Sequence, residues 1–374
     1  MPSPQLAVIG GGQLARMMQQ AAIGLGIHIR LLAEAPDVSA AQVIPDHLVG
    51  DHTDLDTLRS VVADVPVVTF DHEHVPPEHL RTLEAEGHAC RPGPHALLYA
   101  QDKGDMRARL GSLGVPCPRH AAISSPEDLD TFGYPAVLKT TRGGYDGKGV
   151  WVVRSAADAD EAFATGRALL AEELVDFRRE LSALVARSPS GEVRAYPVVE
   201  SRQAGGVCAE VVAPAPDLDP RLDAEARAIA ERIASELDVT GILAVELFET
   251  ADGRLLVNEL AMRPHNTGHW SIDGADTSQF ENHLRAVLDL PLGSTAARAP
   301  WTVMVNILGG AVEDLQAQRA VVLADAPGVK VHLYGKPVKS GRKVGHVTAY
   351  GHDLDDVLAR ARHAAALFTD GVSP

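Results

Sequence analysis

The sequence predicts a mixed α/β and α+β chain, and three observations predict it. Up to about residue 95, short apolar strands alternate with helical stretches, the pattern of a small parallel sheet covered on both faces. From about residue 136, strand-like runs follow one another around a glycine-rich loop and a hairpin, which implies a largely antiparallel sheet. Beyond about residue 299, three further strand-like runs are closed by one helix. These patterns divide the chain into units at 1–98, 99–298 and 299–374, with 99–175 holding the glycine loop.

The first unit reads as Leu6–Ile9, a helix Gln13–Leu25, Ile29–Leu32, a helix near Leu55–Val62 and Val65–Phe70. Between its first strand and helix stands LAVIGGGQLARMM, where Gly10-x-Gly12-x-x-Ala15 fits a dinucleotide fingerprint and Glu34 lies where the ribose-binding acid would. A glycine turn feeding a helix N-terminus suits any anion, so a nicotinamide site is one reading among several. The punctuated stretch RPGPHALLYAQDKGDMRARLGSLGVPCP, with two helical segments, places the boundary near residue 98. Next come Ala136–Lys139, the glycine loop, Val150–Val153, a helix Asp158–Leu170 and a strand Ala171–Val175. ELSALVAR and VRAYPVVES alternate as strands, Asp219–Leu237 is an amphipathic helix, and GILAVELFETADGRLLVNELA is a hairpin. In the last unit TVMVNILG, VKVHLYGK and KVGHVTAYG are strands, followed by a helix Leu354–Leu367.

Composition bounds the function classes. Of 374 residues 45% are hydrophobic and 22% charged, the balance of a soluble globular enzyme, which excludes a disordered or collagen-like chain. A net charge of −16 opposes non-specific attraction to nucleic acid or an anionic membrane, so neither is an expected partner and anionic ligands must be captured by local cations. Cys90, Cys117 and Cys208 are scattered with no C-x-x-C spacing, as expected of a cytoplasmic protein. No basic leader precedes a signal-type apolar run, and no run approaches the ~18 apolar residues of a membrane span.

The glycine loop VLKTTRGGYDGKGV places Lys139 at a strand end and Gly143, Gly144, Gly147 and Gly149 around Arg142, Tyr145, Asp146 and Lys148. Its amides can approach a polyphosphate while cations balance the charge. It joins two strands and is no Walker loop, so the readings are a flap over a nucleotide or a ligand-free hairpin. In the hairpin, a two-residue Asp252-Gly253 turn sets Glu246 opposite Glu259 and Phe248 opposite Val257. Two opposed carboxylates repel, and a divalent cation turns that defect into a site; oxygen ligands select Mg²⁺, with Mn²⁺ as substitute. A longer turn would slip the register by one and leave one glutamate solvated. Arg263, His265, Asn266 and His269 crowd the exit of the same strand and suit a second substrate's phosphate or carboxylate. Zinc held by His265 and His269 is disfavoured because Pro264 and Gly268 argue against a helix. His72, Glu73, His74 and His79 of DHEHVPPEH read as a solvated or substrate-facing loop. Lys336, Lys339, Arg342, Lys343 and His346 cluster around a Ser-Gly turn that either grips a phosphate or lies exposed.

In order, the Gly-rich turn, AQDK, VLKTTRGGYDGKG, EELVDFRRELS, VELFETADGRLLVNELAMRPHNTGHW and GRKVGH resemble the 5-(carboxyamino)imidazole ribonucleotide synthetases of purine biosynthesis, from about Leu6 to Gly351. GGYDGKG and NELAMRPHNTGHW discriminate, because other ATP-grasp ligases carry different residues there. The resemblance implies an ATP-grasp fold with an N-terminal Rossmann-like (pre-ATP-grasp) domain and a small C-terminal β-rich domain. It implies that ATP phosphorylates bicarbonate and that the carboxyphosphate, or its CO₂, carboxylates the amine of aminoimidazole ribonucleotide, giving ADP and phosphate. By matching positions, Lys103, Lys139, Gly144, Tyr145, Asp146, Gly147, Lys148, Gly149, Val150, Glu172, Glu173, Leu174, Val175 and Glu180 hold ATP, with Glu180 on the ribose. Glu246 and Glu259 ligate Mg²⁺, with Asn258 beside them. Gln13, Glu73, Tyr145, Asp146, Arg263, His265, Asn266, Lys336, Arg342 and Lys343 meet the ribonucleotide and bicarbonate. Lys103 stands where the family usually has arginine, and Glu200–Gln203 (ESRQ) replaces a common E-N-x-H run, leaving Gln203 as the substitute contact. A homodimer is implied by resemblance alone. Three alternatives stay open: a ligase acting on another phosphorylated amine, an NAD-dependent oxidoreductase, and a nucleotide-binding protein without catalysis.

Overall fold

The computed structural model describes residues 5–144 and 148–371. Its N-terminal sheet is parallel throughout, in the order His47–Val49, Ile29–Ala33, Leu6–Ile9, Val67–Phe70, Ala89–Cys90. The central strand LAVI is apolar at every position because helices cover both faces of the sheet.

The glycine loop belongs to a second, antiparallel sheet ordered His120–Ile123, Leu169–Glu173, Ala136–Thr140, Val150–Val153. Here the expected helix Asp158–Leu170 is shorter: it ends at Ala164, and Leu169–Glu173 is strand. Gly166 takes φ +63°, a left-handed turn that stops the helix, and LLAEE then pairs between two strands. Pro197 likewise splits the expected strand VRAYPVVES into Val193–Ala195 and Val199–Ala204.

A third sheet runs Leu255–Ala261, Gly241–Thr250, Phe177–Arg187, Val199–Ala204, Val207–Ala213, Trp301–Leu308, Lys343–Gly351, Lys330–Leu333. Strands of the last segment thus extend the sheet of the middle one, joined where Ala213 pairs with Thr302. The helix Gln279–Val287 locks the first unit to this sheet: Phe280, Leu284 and Val287 share a core with Leu14 and Met18. His283 beneath them meets Thr69 Oγ1 at 2.8 Å and accepts from the Ile242 amide at 3.1 Å. Residues of all three sheets, or of the loops that leave them, line one cleft.

Candidate active site

The cleft has a volume of about 610 Å³ and lies where the two antiparallel sheets and the N-terminal sheet meet. That is the size of a small-molecule site. The metal-type pair stands on the hairpin Gly241–Thr250 and Leu255–Ala261, where Glu246 pairs directly with Glu259. The turn is longer than expected. Ala251, Asp252 and Gly253 form a three-residue connection, with Gly253 at φ +78° and the Thr250 amide donating to Arg254 O at 2.9 Å. Phe248 consequently faces Leu256, not Val257, and a bulge between Glu246 and Leu247 restores the register at the glutamates.

Burial and the neighbouring carboxylates of Glu259 and Glu180 push the Glu246 carboxyl up to about 8. Lys103, at the start of its helix, brings Nζ to 4.0 Å from Glu259 Oε1. Lys139 Nζ lies 2.7 Å from Glu172 Oε2 and donates to Asn258 Oδ1 at 3.1 Å. Burial alone would raise the Glu172 carboxyl, but Lys139 and Arg107 together hold it below the usual carboxylate range. The Glu172 side chain is therefore paired with Arg107 and Lys139 at the wall of the cleft.

Apolar residues that sequence reasoning did not single out complete this end of the cleft: Val137, Val152, Phe177, Phe248 and Leu260. The Phe177 and Phe248 rings stack 4.7 Å apart at 19°. The strand residues Val150, Val152 and Phe177 and the loop residue Leu174 are 38%, 46%, 42% and 39% exposed, unusual for large apolar side chains, and all four line the same cavity. Glu173, Val175, Glu180 and Gln203 line it as well. The Glu180 carboxyl is raised by burial, with Gln203 acting against the shift.

At the other end lie Gln13, Glu73, Arg263, His265, Asn266 and Lys343. Glu73 accepts from the Met262 amide at 2.7 Å and from Arg263 Nε at 3.2 Å, tying the N-terminal unit to the hairpin exit. His265 Nε2 lies 3.5 Å from Glu246 Oε1, and burial, then Arg263 and Lys343, keep its imidazole neutral. Five expected contacts do not line the cleft: Gly144, Lys148, Gly149, Lys336 and Arg342. Gly149 closes the glycine loop instead, its carbonyl accepting from the Thr140 amide at 2.9 Å, and an added Cβ there would come within 2.6 Å of Thr140 Oγ1. Lys336 donates to Gln13 Oε1, one residue behind the cavity wall, and Arg342 NH1 donates to Pro337 O at 3.5 Å. Tyr145, Asp146 and Gly147 lie outside the described residues.

The opening fingerprint is already occupied by the chain's own acids. Gly11 N donates to Glu34 Oε2 at 3.1 Å, Gly12 N to Asp71 Oδ2 at 3.0 Å, and Ala15 N to Asp71 Oδ1 at 2.7 Å. Asp71 thus caps the helix N-terminus at the place a dinucleotide pyrophosphate would take. This excludes the nicotinamide reading as the fingerprint framed it, because a pyrophosphate there would meet a carboxylate. Among the described residues, no three His, Cys, Asp or Glu side chains are grouped to hold a metal, and no helix is long and apolar enough to cross a membrane.

Comparison with known proteins identifies the three segments of the chain. Residues 4–101 match the ribonucleotide synthetase pre-ATP-grasp domain, 108–280 the ATP-grasp domain, and 302–360 the phosphoribosylaminoimidazole carboxylase C-terminal domain. The N5-carboxyaminoimidazole ribonucleotide synthase of Mycobacterium tuberculosis is 52% identical over 100% of this chain and 90% of its own length. A crystal structure of an ADP complex of N5-carboxyaminoimidazole ribonucleotide synthetase superposes with a TM-score of 0.90 at 37% identity, covering 97% of each chain. The Aspergillus clavatus N5-carboxyaminoimidazole synthase, solved with ADP and 5-aminoimidazole ribonucleotide, gives 0.90 at 31% identity over 100% of both chains.

Proposed function

This chain belongs to the N5-carboxyaminoimidazole ribonucleotide synthase family of ATP-grasp ligases, and from that premise we propose that the cleft carboxylates 5-aminoimidazole ribonucleotide at its exocyclic amine. ATP and bicarbonate are the co-substrates, ADP and phosphate the products, and the step belongs to de novo purine biosynthesis. The observation that carries this reading is the opposed pair Glu246 and Glu259 beside the Lys139–Asn258 contact, in a cleft that also gathers Arg263, His265 and Lys343.

A bicarbonate oxygen attacks the γ-phosphorus, the bond to ADP breaks, and carboxyphosphate forms. The amine nitrogen then attacks the carboxyl carbon, directly or after release of CO₂; phosphate departs and the amine loses a proton. Phosphoryl transfer asks for positioning and charge neutralisation, which Lys103 and Lys139 supply to the phosphates. Val152, Leu174 and Phe248 receive the adenine, Glu173 to Val175 offer backbone groups to its edge, and Glu180 accepts from the ribose, with Gln203 alongside. Tyr145 and Asp146 are assigned to the cleft by the resemblance. Arg263, His265, Asn266 and Lys343 hold the anionic reactants, and Gln13 and Glu73 the ribonucleotide. Glu246 and Glu259 fit Mg²⁺ because they are two oxygen donors directly opposed across the hairpin, and a divalent cation relieves both the burial of Glu246 and its repulsion by Glu259. When bound, the ion neutralises charge on the transferring phosphoryl group. The enzyme is expected to act as a cytoplasmic homodimer, as the resemblance implies.

The test is ADP release from purified protein with Mg²⁺-ATP and bicarbonate, with and without aminoimidazole ribonucleotide. Strong stimulation supports the assignment; ADP release indifferent to the ribonucleotide points to another phosphorylated amine. Lys343→Ala should raise KM for the ribonucleotide about 10- to 100-fold, the loss of one charge-assisted hydrogen bond, with KM for ATP within about twofold. A rise confined to ATP would place Lys343 on the wrong substrate.

Linkage gives a pH prediction. Glu246, raised to about 8, and Asp71, raised by burial to about 6, favour the folded state when protonated. Their contribution is complete below the ordinary carboxylate range and is lost as pH rises through these values. Metal-free protein should therefore lose stability between pH 6 and 8, and Mg²⁺ should raise the melting temperature more at pH 8 than at pH 6. Equal metal-induced shifts at the two pH values would contradict the Glu246 assignment.

A further inference from the structure

His269 lines the same cleft, on the turn that follows the hairpin, and its ring is fully buried. Its neighbour Gln279, also fully buried, has an amide whose orientation is settled by the backbone. The His265 N–H donates to Gln279 Oε1 at 2.9 Å, so the other end is the NH₂ group. That group donates to His265 O at 2.7 Å and to His269 Nδ1 at 3.0 Å. A ring nitrogen that accepts a hydrogen bond carries no proton. Burial, then the charge of Lys343, keeps the imidazole neutral. The single ring proton is thus on Nε2.

This Nε2–H has no acceptor among the described residues, and the carboxamide of Asn266, three residues earlier, has only a weak contact with the Cys208 thiol and no well-formed hydrogen bond. Buried polar atoms are nearly always paired, so unmet atoms gathered on one turn that lines a ligand cavity mark where a ligand's own polar atoms belong.

We propose that His269, fixed by Gln279 as its Nε2–H tautomer, donates to a substrate oxygen, and that Gln279 is the positioning residue for both His265 and His269. The proposal rests on the ligase reading above. The acceptor is an anionic or carbonyl oxygen, which bicarbonate and the ribonucleotide both offer, and kinetics separates them.

His269→Phe should lower kcat/KM for one of these two substrates about 10²-fold, as loss of a preorganised donor does, and the substrate affected identifies the acceptor. His269→Gln, which keeps an N–H at similar reach, should recover at least about tenfold of that loss. Gln279→Glu keeps the size and the acceptor for His265 N–H but cannot donate to Nδ1. It should turn the ring to its Nδ1–H form and reproduce the His269→Phe kinetics, with the dissociation constant for ATP unchanged throughout. Nuclear magnetic resonance of ¹⁵N-histidine-labelled protein reads the tautomer directly. A wild-type Nδ1–H signal, kinetics of His269→Phe like those of wild type, or a parallel loss of ATP binding in every variant would each overturn the proposal. The tautomer is read without turnover, so a wild-type protein lacking ribonucleotide-dependent ADP release would refute the reaction while the spectrum still judged the donor.

Discussion

Glu259→Gln is expected to reduce ADP release by about 10²- to 10⁴-fold, the several kcal/mol that a catalytic metal contributes to the transition state. Glutamine keeps the volume and one carbonyl oxygen of the side chain but removes the charge that, with Glu246, the proposed cation site requires. The same change removes the repulsion between the two carboxylates, so the metal-free variant should be at least as stable as wild type. Melting curves without and with Mg²⁺ check this. Wild type should gain stability from the ion, and the variant should start no lower and gain little. Retention of full turnover by Glu259→Gln would remove the metal assignment, and a destabilised metal-free variant would mean that the pair is not a site of repulsion.

The same hairpin shows how far the sequence can be read. An Asp252-Gly253 turn led to Glu246 opposite Glu259, and that pairing is present, although the turn has three residues. The longer turn slips the register by one, and the bulge opposite Leu247 slips it back before the glutamates. Turn chemistry was visible because Gly253 accepts a left-handed backbone; the bulge had no local sign. Charged and glycine-flanked residues such as Lys139 and Arg263 were legible because their chemistry is rare in strands and loops. Val152, Phe177 and Phe248 were not, since an apolar strand residue reads as core whichever face it takes. Asp71, Gln279 and Arg107 are harder still, because each acts on residues at least ten positions away, with most partners more than fifty away. The apolar strands Leu6–Ile9, Ile29–Ala33 and Val67–Phe70 of the first unit needed no such knowledge, whereas the short strands His47–Val49, reached from Ile29–Ala33 without a helix, and Ala89–Cys90 left no comparable pattern.

Arg107→Met is expected to destabilise the protein by about 3–5 kcal/mol, the cost of breaking a buried ion pair by removing one partner. The guanidinium is completely buried and saturated on three sides. Its Nε donates to Glu172 Oε1 at 2.7 Å, NH1 to Val257 O at 2.9 Å and NH2 to Asn258 O at 2.7 Å. Glu172 in turn grips Lys139, and Lys139 donates to the Asn258 side chain. The four residues close a ring that fixes the bulge and Lys139 together. Methionine fills much of the space but leaves two carbonyls unpaired and Glu172 with one cation in place of two. Lys139 would then be held by an under-compensated carboxylate, so ATP affinity should fall along with stability. Adding Glu172→Gln removes the stranded charge, and in a double-mutant cycle the pair should couple by more than about 1 kcal/mol. Urea denaturation of the four proteins decides it. A single-mutant loss below about 1 kcal/mol, or additive effects, would show that the ring is not a cooperative unit and that Lys139 is positioned by something else.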